Sequence, residues 1–153
     1  MWLARRAEAE TVAELLVGFR DDLGYTWPPA ASFLASVLIL IERPDTEYLL
    51  AAAGEDAHAA GVCQLRFRHS VWTATEDCWL EDLFVAPEAR RQGLARALVE
   101  RSLARARERG CRRVELDTDE DNRAALALYE SVGFSARNKG GSRSLLLGVP
   151  LER

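Results

Sequence analysis

A turn rich in arginine and glycine, residues 90–95 (RRQGLA), separates a predicted strand from a predicted helix. The strand stops at Pro87 and a long helical pattern begins at Gly93. The first amides of a helix have no partner inside it, and the helix dipole places partial positive charge there. Arg90 and Arg91 add full charges, and glycine lets a ligand approach the backbone. The segment predicts an anion site for phosphate or pyrophosphate, although a plain helix start with solvated arginines has the same composition.

Two motifs make the sequence resemble the GNAT superfamily of N-acetyltransferases, which use acetyl-coenzyme A (acetyl-CoA). Residues 90–95 match the family's pyrophosphate-binding pattern Gln/Arg-x-x-Gly-x-Gly/Ala. Residues 122–134, NRAALALYESVGF, match its pattern Asn-x-x-Ala-x-x-Leu-Tyr-x-x-x-Gly-Phe. Arg91 stands where the family usually has glycine, and Ala95 stands where glycine is more common. The resemblance is specific over residues 79–134, and its motifs are closest to those of polyamine and diamine acetyltransferases.

The resemblance implies that acetyl-CoA is the cosubstrate and that two backbone segments bind it. The amides of residues 91–96 would hold the pyrophosphate, and the end of the preceding strand would pair with the pantetheine and polarise the thioester carbonyl. Asn122 would contact the coenzyme, and its position also predicts a helix cap. The predicted coenzyme-binding residues are Leu83, Phe84, Val85, Arg90, Arg91, Gln92, Gly93, Leu94, Ala95, Arg96 and Asn122.

Acetyl transfer to an amine requires a base, because an alkylammonium has a pKa of roughly 10.4. Glu81 is the predicted base. With regular alternation it shares a strand face with Trp79, Leu83 and Val85, and such apolar surroundings would raise its pKa. The Leu-Glu-Asp motif shared with polyamine and diamine acetyltransferases implies that this glutamate acts through a water. Asp82, on the opposite face, is the competing base, and either carboxylate can instead pair with an arginine.

The departing thiolate benefits from an acid, and Tyr129 is the candidate. Ala125, Leu128, Tyr129 and Val132 recur at helical spacing, which is equally typical of a tyrosine in a core. Within the family's motif this position lies near the sulfur of the coenzyme, so the resemblance implies the acid role.

The acceptor is predicted to be a small primary amine or a polyamine. A peptide N-terminus or a lysine is the alternative acceptor, and a non-catalytic module that only binds acetyl-CoA is the alternative function. Aromatic and acidic residues of two loops would form a wall for a cation, unless they are ordinary loop residues. They are Asp21, Asp22, Tyr25, Trp27, Trp72, Glu76 and Asp77.

Helices and strands in mixed order must position these residues, which predicts an α+β domain. Helices are predicted at 8–19, 30–42, 93–109 and 121–133, and strands at 2–4, 47–54, 60–72, 78–85 and 111–118. GEDAH (54–58) forms the turn between two strands, and imperfect alternation in 60–72 leaves a bulge or bend open. Two last segments, GFSA and SRSLLLGV, would close the sheet. The resemblance implies a GNAT-like, mostly antiparallel mixed sheet with helices on both faces, in a single domain over residues 1–153.

Composition restricts the class of protein. A net charge of −4 over 153 residues gives no basic field for nucleic acid as the main partner. The apolar run at 33–41 is too short to span a bilayer and is interpreted as a buried core helix, and the charged N-terminus is unlike a signal peptide. Three scattered cysteines and two histidines predict no metal site, no disulfide, no covalent cysteine route and a cytoplasmic location. The apolar SLLLGV segment, as an exposed edge strand, and the family resemblance predict a homodimer.

Overall fold

The computed structural model describes residues 1–55 and 57–151. The chain divides into two compact units, a first unit of Met1–Leu116 and a second unit that begins at Asp117. The elements in chain order are β1 (Trp2–Leu3), α1 (Ala9–Asp22), α2 (Ala30–Leu40), β2 (Thr46–Ala52), β3 (Ala59–Ser70), β4 (Thr75–Val85), α3 (Leu94–Glu108), β5 (Val114–Glu115) and α4 (Arg123–Ser131). Short 3₁₀ turns precede α1 at Arg6–Glu8 and follow β4 at Pro87–Ala89. The predicted turn at 54–58 includes Asp56, which lies outside the described residues.

The first unit contains a five-stranded sheet in the order β1-β2-β3-β4-β5. The strands β1 to β4 pair antiparallel with one another, and β5 is parallel to β4. This confirms the predicted mixed, mostly antiparallel sheet. The ladder between β2 and β3 shifts register between Ala51 and Ala52, where Ala60 is the extra residue. The sequence allowed a bulge or bend within residues 60–72, and a bulge is present at Ala60.

Helices cover both faces of this sheet, as predicted. Tyr48, Leu50 and Phe84 pack with α1 and α2 on one face, here called the α1/α2 face. On the other face, the α3 face, Ser102 of α3 lies with its Oγ 3.3 Å from Cys63 Sγ of β3. Because both faces are covered, consecutive residues of β2 such as Leu49 and Leu50 are all buried. Burying each such side chain contributes about 1.5–3 kcal/mol.

The C-terminal end of α3 is bound to the sheet by an ion-pair network, here called the clamp: Arg105, Arg109, Glu47 and Glu76. Arg105 donates to both carboxylate oxygens of Glu47 at 2.8 and 2.7 Å. Arg109 bonds Glu47 at 3.0 Å and Glu76 at 3.0–3.1 Å, and its guanidinium lies 3.9 Å from the centroid of the Phe67 ring. Burial alone would raise the pKa of Glu47, but hydrogen bonds from the two arginines lower it below its usual value.

The expectation of a buried core helix at 33–41 is wrong. In α2 only Val37 is fully buried, at 1% exposure, whereas Ile39 is 67% exposed. The remaining large apolar side chains of α2 are partly buried against the core. The helix packs against the core on one side only, so residues on its other side, such as Ile39, remain in contact with water.

The second unit contains α4 and an irregular C-terminal segment. Gly133, at φ +101°, ends the helix. The predicted closing strands GFSA and SRSLLLGV are wrong, because the described part of this unit has only one isolated bridge, between Arg137 and Arg143. The apolar side chains of SRSLLLGV are exposed instead, Leu147 by 86%. The edge strand on which the homodimer prediction partly rested is therefore not formed. Among residues 1–55 and 57–151, no helix has both the length and the apolar character that a membrane-spanning helix requires.

Candidate active site

A β-bulge in β4 sets the position of the predicted base. In the ladder with β3, Asp82 pairs with Gln64 and Leu80 pairs with Leu65, so Glu81 is an extra residue without a cross-strand partner. A bulge of this kind interrupts the alternation of side chains between the two faces of a strand. Simple alternation therefore predicts the correct face for the residues of β4 before Glu81 and the wrong face for those after it.

Glu81 and Asp82 consequently lie on the same face of the sheet. The Glu81 carboxylate accepts a hydrogen bond from Gln64 Nε2 at 3.1 Å and lies 3.5 Å from Arg66 Nη1. Gln64 is the register partner of Asp82, and Arg66 is the register partner of Trp79. Register partners share a face, so all five side chains belong to one face. Gln64 also pairs with Tyr48 of β2, which identifies it as the α1/α2 face.

Three predictions about Glu81 are therefore wrong, and the bulge is the reason. Leu83 and Val85 lie on the α3 face, since Leu83 pairs with Cys63. Asp82 is beside Glu81 rather than opposite to it. The surroundings of Glu81 are not apolar: its side chain is 42% exposed and contacts Arg66 and an amide. The predicted position beside Trp79 is correct.

The edge of β4 that faces β5 is open at its C-terminal end. The ladder between the two strands consists of two pairs, Cys78 with Val114 and Trp79 with Glu115. Within the described chain, Leu83, Phe84 and Val85 have no strand partner on that side. Their backbone groups can accept an extended ligand that pairs as a strand would.

The corner between β4 and α3 exposes unpaired amides at the start of the helix. The first bond into the helix runs from Ala97 N to Gly93 O at 3.0 Å, and no side chain caps the helix. The amides of Leu94 and Ala95 therefore have no acceptor in the helix. Gly93 adopts φ +82°, and a Cβ built on it would meet nothing within 4 Å. Arg91 adopts φ +63°, a left-handed conformation that favours glycine.

The charged side chains of the corner differ in their partners. Arg90 Nε donates to Val85 O at 2.9 Å, its Nη2 pairs with Asp22 at 2.8 Å, and its guanidinium lies 5.7 Å from the centroid of the Phe84 ring. These contacts bind the corner to β4 and to the end of α1. Arg91 is exposed and has no hydrogen bond or ion pair among those found in the described residues.

The neighbouring polar residues of the corner bond within their own segment. Gln92 Nε2 donates to Glu88 O at 3.4 Å, and Arg96 pairs with Glu100 one turn along α3 at 3.4 Å. Both side chains lie on exposed residues. The first unit thus brings together the predicted coenzyme-binding residues of positions 83–85 and 90–96 along a single strand–turn–helix segment, with the predicted base on the same strand.

Two predicted residues, Asn122 and Tyr129, belong to the second unit. Asn122 Oδ1 accepts from Ala125 N at 3.2 Å, which confirms the predicted cap of α4. Tyr129 is buried at 8% exposure, and its ring meets that of Phe134 edge-on at 5.8 Å between centroids. The backbone of Phe134 also donates to Tyr129 O at 3.0 Å, so the turn after Gly133 folds back onto the helix.

Two of the seven residues of the predicted cation wall are engaged within the fold. Glu76 is paired with Arg109 at 3.0 Å, and Asp77 is buried at 6% exposure. The aromatic residues Tyr25, Trp27 and Trp72 are exposed by 63%, 72% and 95%. Because these rings are accessible to solvent, their role in binding the acceptor stays a prediction.

The buried thiols are poor nucleophiles. Burial raises the pKa of Cys63 to about 12 and that of Cys78 to about 12, so both remain protonated near neutral pH. Cys111 is partly buried, and its pKa is also raised, chiefly by burial. In residues 1–55 and 57–151, no group of three or more His, Cys, Asp or Glu side chains is arranged to hold a metal ion.

The sequence analysis missed Gln64, Arg66 and Tyr48, which surround Glu81 and Asp82. Gln64 is a polar residue, 4% exposed, inside the apolar run GVCQLRF, and that exception was a usable signal. Arg66 follows Gln64 by two residues on β3, so simple alternation of side chains places both on one face. Tyr48 had no signal, because its relation to Glu81 depends on the register of three strands.

Comparisons with known proteins agree with this geometry. The sequence profile described as the acetyltransferase (GNAT) family matches residues 12–134. The thialysine N-epsilon-acetyltransferase of Caenorhabditis elegans is 33% identical over 94 residues, which is 61% of this chain and 57% of that enzyme. The aminoglycoside N(6')-acetyltransferase type 1 of Stenotrophomonas maltophilia is 28% identical over 152 residues, covering 97% of this chain and 92% of that enzyme. The chain thus spans little more than half of the nematode enzyme and most of the bacterial one.

A solved structure has the same fold over nearly its whole length. The crystal structure of a probable acetyltransferase superposes with a TM-score of 0.85 at 29% sequence identity, covering 99% of this chain and 98% of that chain. Its agreement includes the mixed sheet and the helices described above. The chain belongs to the GNAT family of acetyltransferases.

Proposed function

We propose that the protein transfers the acetyl group of acetyl-CoA to a primary amine by direct attack within a ternary complex. The observation that carries this proposal is the strand–turn–helix segment at positions 83–95. It combines an open strand edge, unpaired helix amides and a left-handed Arg91 and Gly93. The family match extends across both units, which supports one N-acetyltransferase domain over residues 1–153.

In this proposal, acetyl-CoA lies along two backbone segments. Its pyrophosphate binds the amides at the start of α3, where the helix dipole and Arg91 favour negative charge. Its pantetheine pairs with Leu83, Phe84 and Val85 at the open edge of β4. Arg90 acts on this site chiefly through its bonds to Val85 and Asp22, which hold the turn in place. Asn122 both caps α4 and contacts the coenzyme.

Glu81 is the proposed base, and Asp82 beside it remains the competing one. Once the amine has lost a proton, its nitrogen attacks the thioester carbonyl, and the carbonyl π electrons move to the oxygen. Backbone groups at the end of β4 stabilise this oxyanion. Collapse of the intermediate breaks the carbon–sulfur bond, and the thiolate takes a proton from Tyr129. The second proton that the nitrogen loses as the amide forms restores the Tyr129 hydroxyl.

A small amine or polyamine is the proposed acceptor. Glu81 and Asp82 place two carboxylates on one face, and Glu81 is partly exposed, which favours a cationic substrate. The relatives named above act on thialysine and on aminoglycosides, both small amines. The exposed Tyr25 and Trp27 would hold part of the cation. A cytoplasmic location is proposed from the absence of disulfides among the three cysteines. The homodimer now rests on the family resemblance alone, and light scattering at micromolar concentration decides it.

Calorimetric titration with acetyl-CoA, followed by a thiol-release assay with a panel of amines, tests the proposed function. Binding together with release in the presence of a small amine is the expected result. Binding without release for any amine would indicate a non-catalytic module, and neither signal would indicate an interaction domain. Release only with peptides that carry a free N-terminus or lysine would move the acceptor class to proteins.

A further inference from the structure

The hydroxyl group of Tyr48 is buried without a hydrogen-bond partner. The residue is 1% exposed, and its Oη is the buried side-chain nitrogen or oxygen atom for which the described residues supply no partner. Leaving a buried hydroxyl unsatisfied destabilises the folded state, and such groups are rare in folded proteins. A phenylalanine would fill the same space at no such cost, so the hydroxyl calls for a role outside packing.

Tyr48 shares the α1/α2 face with the proposed base. It pairs with Gln64, and Gln64 pairs with Asp82, so one row crosses β2, β3 and β4. Gln64 in turn donates to the carboxylate of Glu81 at 3.1 Å. Tyr48 therefore lies two strands from the acidic residues of the bulge, on the same face, with Gln64 between them.

The charges around Tyr48 keep its hydroxyl protonated. Its pKa is raised well above the usual value, chiefly by burial, then by Asp82 and Glu81, with Arg66 opposing them. These three are the charged groups that act on it, and the side chains of α1 and α2 packed in the same cluster are apolar. Across the pH range of an assay Tyr48 is thus a neutral hydrogen-bond donor on the same sheet face as two carboxylates.

We propose that Tyr48 is a positioning residue that holds the water through which Glu81 deprotonates the acceptor amine. This inference rests on the proposed acetyl transfer. Tyr48 Oη donates to the water oxygen, and the water donates to the Glu81 carboxylate. The acceptor ammonium passes a proton to the water as the water passes one of its own to Glu81. The amine and Glu81 both end neutral, and the water is restored.

Tyr48→Phe tests the proposal, because it removes one oxygen and keeps the ring. We expect kcat/KM for the amine to fall roughly 10-fold near pH 7, the effect of about one lost hydrogen bond. The loss should shrink as pH approaches roughly 10.4, where the free amine is supplied by solvent. The KM for acetyl-CoA should not change. The midpoint of urea unfolding should stay or rise, which separates the rate effect from misfolding.

A double-mutant cycle with Glu81→Gln gives the second readout. If Tyr48 acts through the water on Glu81, Tyr48→Phe should lower the rate much less in the Glu81→Gln background than in the wild type. An active wild type with Tyr48→Phe unchanged at every pH, or with equal losses in both backgrounds, overturns the role of Tyr48 and leaves the proposed function standing. A wild type that binds acetyl-CoA but acetylates no amine overturns both.

Discussion

Arginines and a glycine lie at both ends of α3, but the two ends differ in whether their polar groups have partners. At the C-terminal end, Arg105 and Arg109 are paired with Glu47 and Glu76 in the clamp. At the N-terminal end, Arg91 has a left-handed backbone, and the first amides of the helix have no capping side chain. Gly93 and Gly110 flank the same helix, both with positive φ and open space around them.

This difference separates structural charge from charge that is available to a ligand. The clamp uses partly buried ion pairs to hold α3 against the sheet, so the charges of its arginines are already paired with carboxylates. The other end leaves donors unsatisfied and keeps a backbone conformation that costs free energy, which is typical of ligand sites. One helix thus serves as an anchor at one end and as the proposed coenzyme site at the other.

The largest expected effect lies outside both ends, at Tyr129. Tyr129→Phe removes the proposed acid and should lower kcat by roughly 10²–10⁴. The KM for acetyl-CoA should change little, because the proton is needed only in the transition state. Steady-state kinetics with the amine found by the panel measures both constants. Wild-type turnover in this variant would show that Tyr129 is only a core residue. The proposed site would then be confined to β4 and the N-terminal end of α3.

Gly93→Ala and Gly110→Ala form a matched pair that tests the comparison directly. Both glycines have similar φ, +82° and +77°, and a Cβ on either meets nothing within 4 Å, so both variants should lose a similar stability of about 1–2 kcal/mol. Only the first adds a methyl group where the pyrophosphate is proposed to approach. We expect acetyl-CoA affinity by calorimetry to fall about 10-fold or more for Gly93→Ala and to stay unchanged for Gly110→Ala. Equal affinities in the pair would contradict an anion site at this corner.

Glu47→Gln should weaken the clamp without touching the corner. Glu47 bonds both arginines and its side chain is 14% exposed, so we expect a loss of about 1–2 kcal/mol in the free energy of unfolding at pH 7. Acetyl-CoA affinity should be retained. Urea unfolding and calorimetry supply the two measurements. A larger change in affinity than in stability would show that the two ends are not independent.

The same variant has a defined pH dependence. The pKa of Glu47 is lower in the folded protein than its usual value, so its ionised form contributes stability above roughly pH 4.3. That contribution disappears as pH falls through the lowered pKa. The stability difference between wild type and Glu47→Gln should therefore be full at neutral pH and shrink in acid. A constant difference from pH 7 to pH 3 would contradict the ion pair.

Arg91→Gly has the smallest expected effect and sharpens the comparison most. Glycine adopts φ +63° without steric cost, so stability should hold or rise by up to about 1 kcal/mol. If the Arg91 side chain also contacts a phosphate, acetyl-CoA affinity should fall by a few-fold, and less at high salt. Calorimetry at two ionic strengths measures this. Unchanged affinity would assign the anion site to the backbone alone.

Local chemistry made much of the fold and part of the site predictable. The helices α1, α3 and α4 and the strands β2–β4 follow from apolar periodicity with glycine or proline at their ends, each within a few residues. The Asn122 cap depends on neighbours a few residues away, so the sequence predicted it. The open anion corner belongs to the same class, because helix amides and dipole are properties of a single segment.

Tertiary structure decided the features that need two or more segments. The bulge at Glu81 exists only in the register of β4 against β3, and it reversed the predicted faces of Asp82 and Leu83. Segment 142–149 contains a short apolar run that is typical of a strand, yet a strand forms only with a hydrogen-bonded neighbour. The amino-acid sequence thus determined the helix, its exposed start and the identity of the acids, because these depend on local conformation. Only the pairing of three strands decided that Glu81, Asp82 and the buried Tyr48 share one face, because register is a property of the sheet and not of any strand within it.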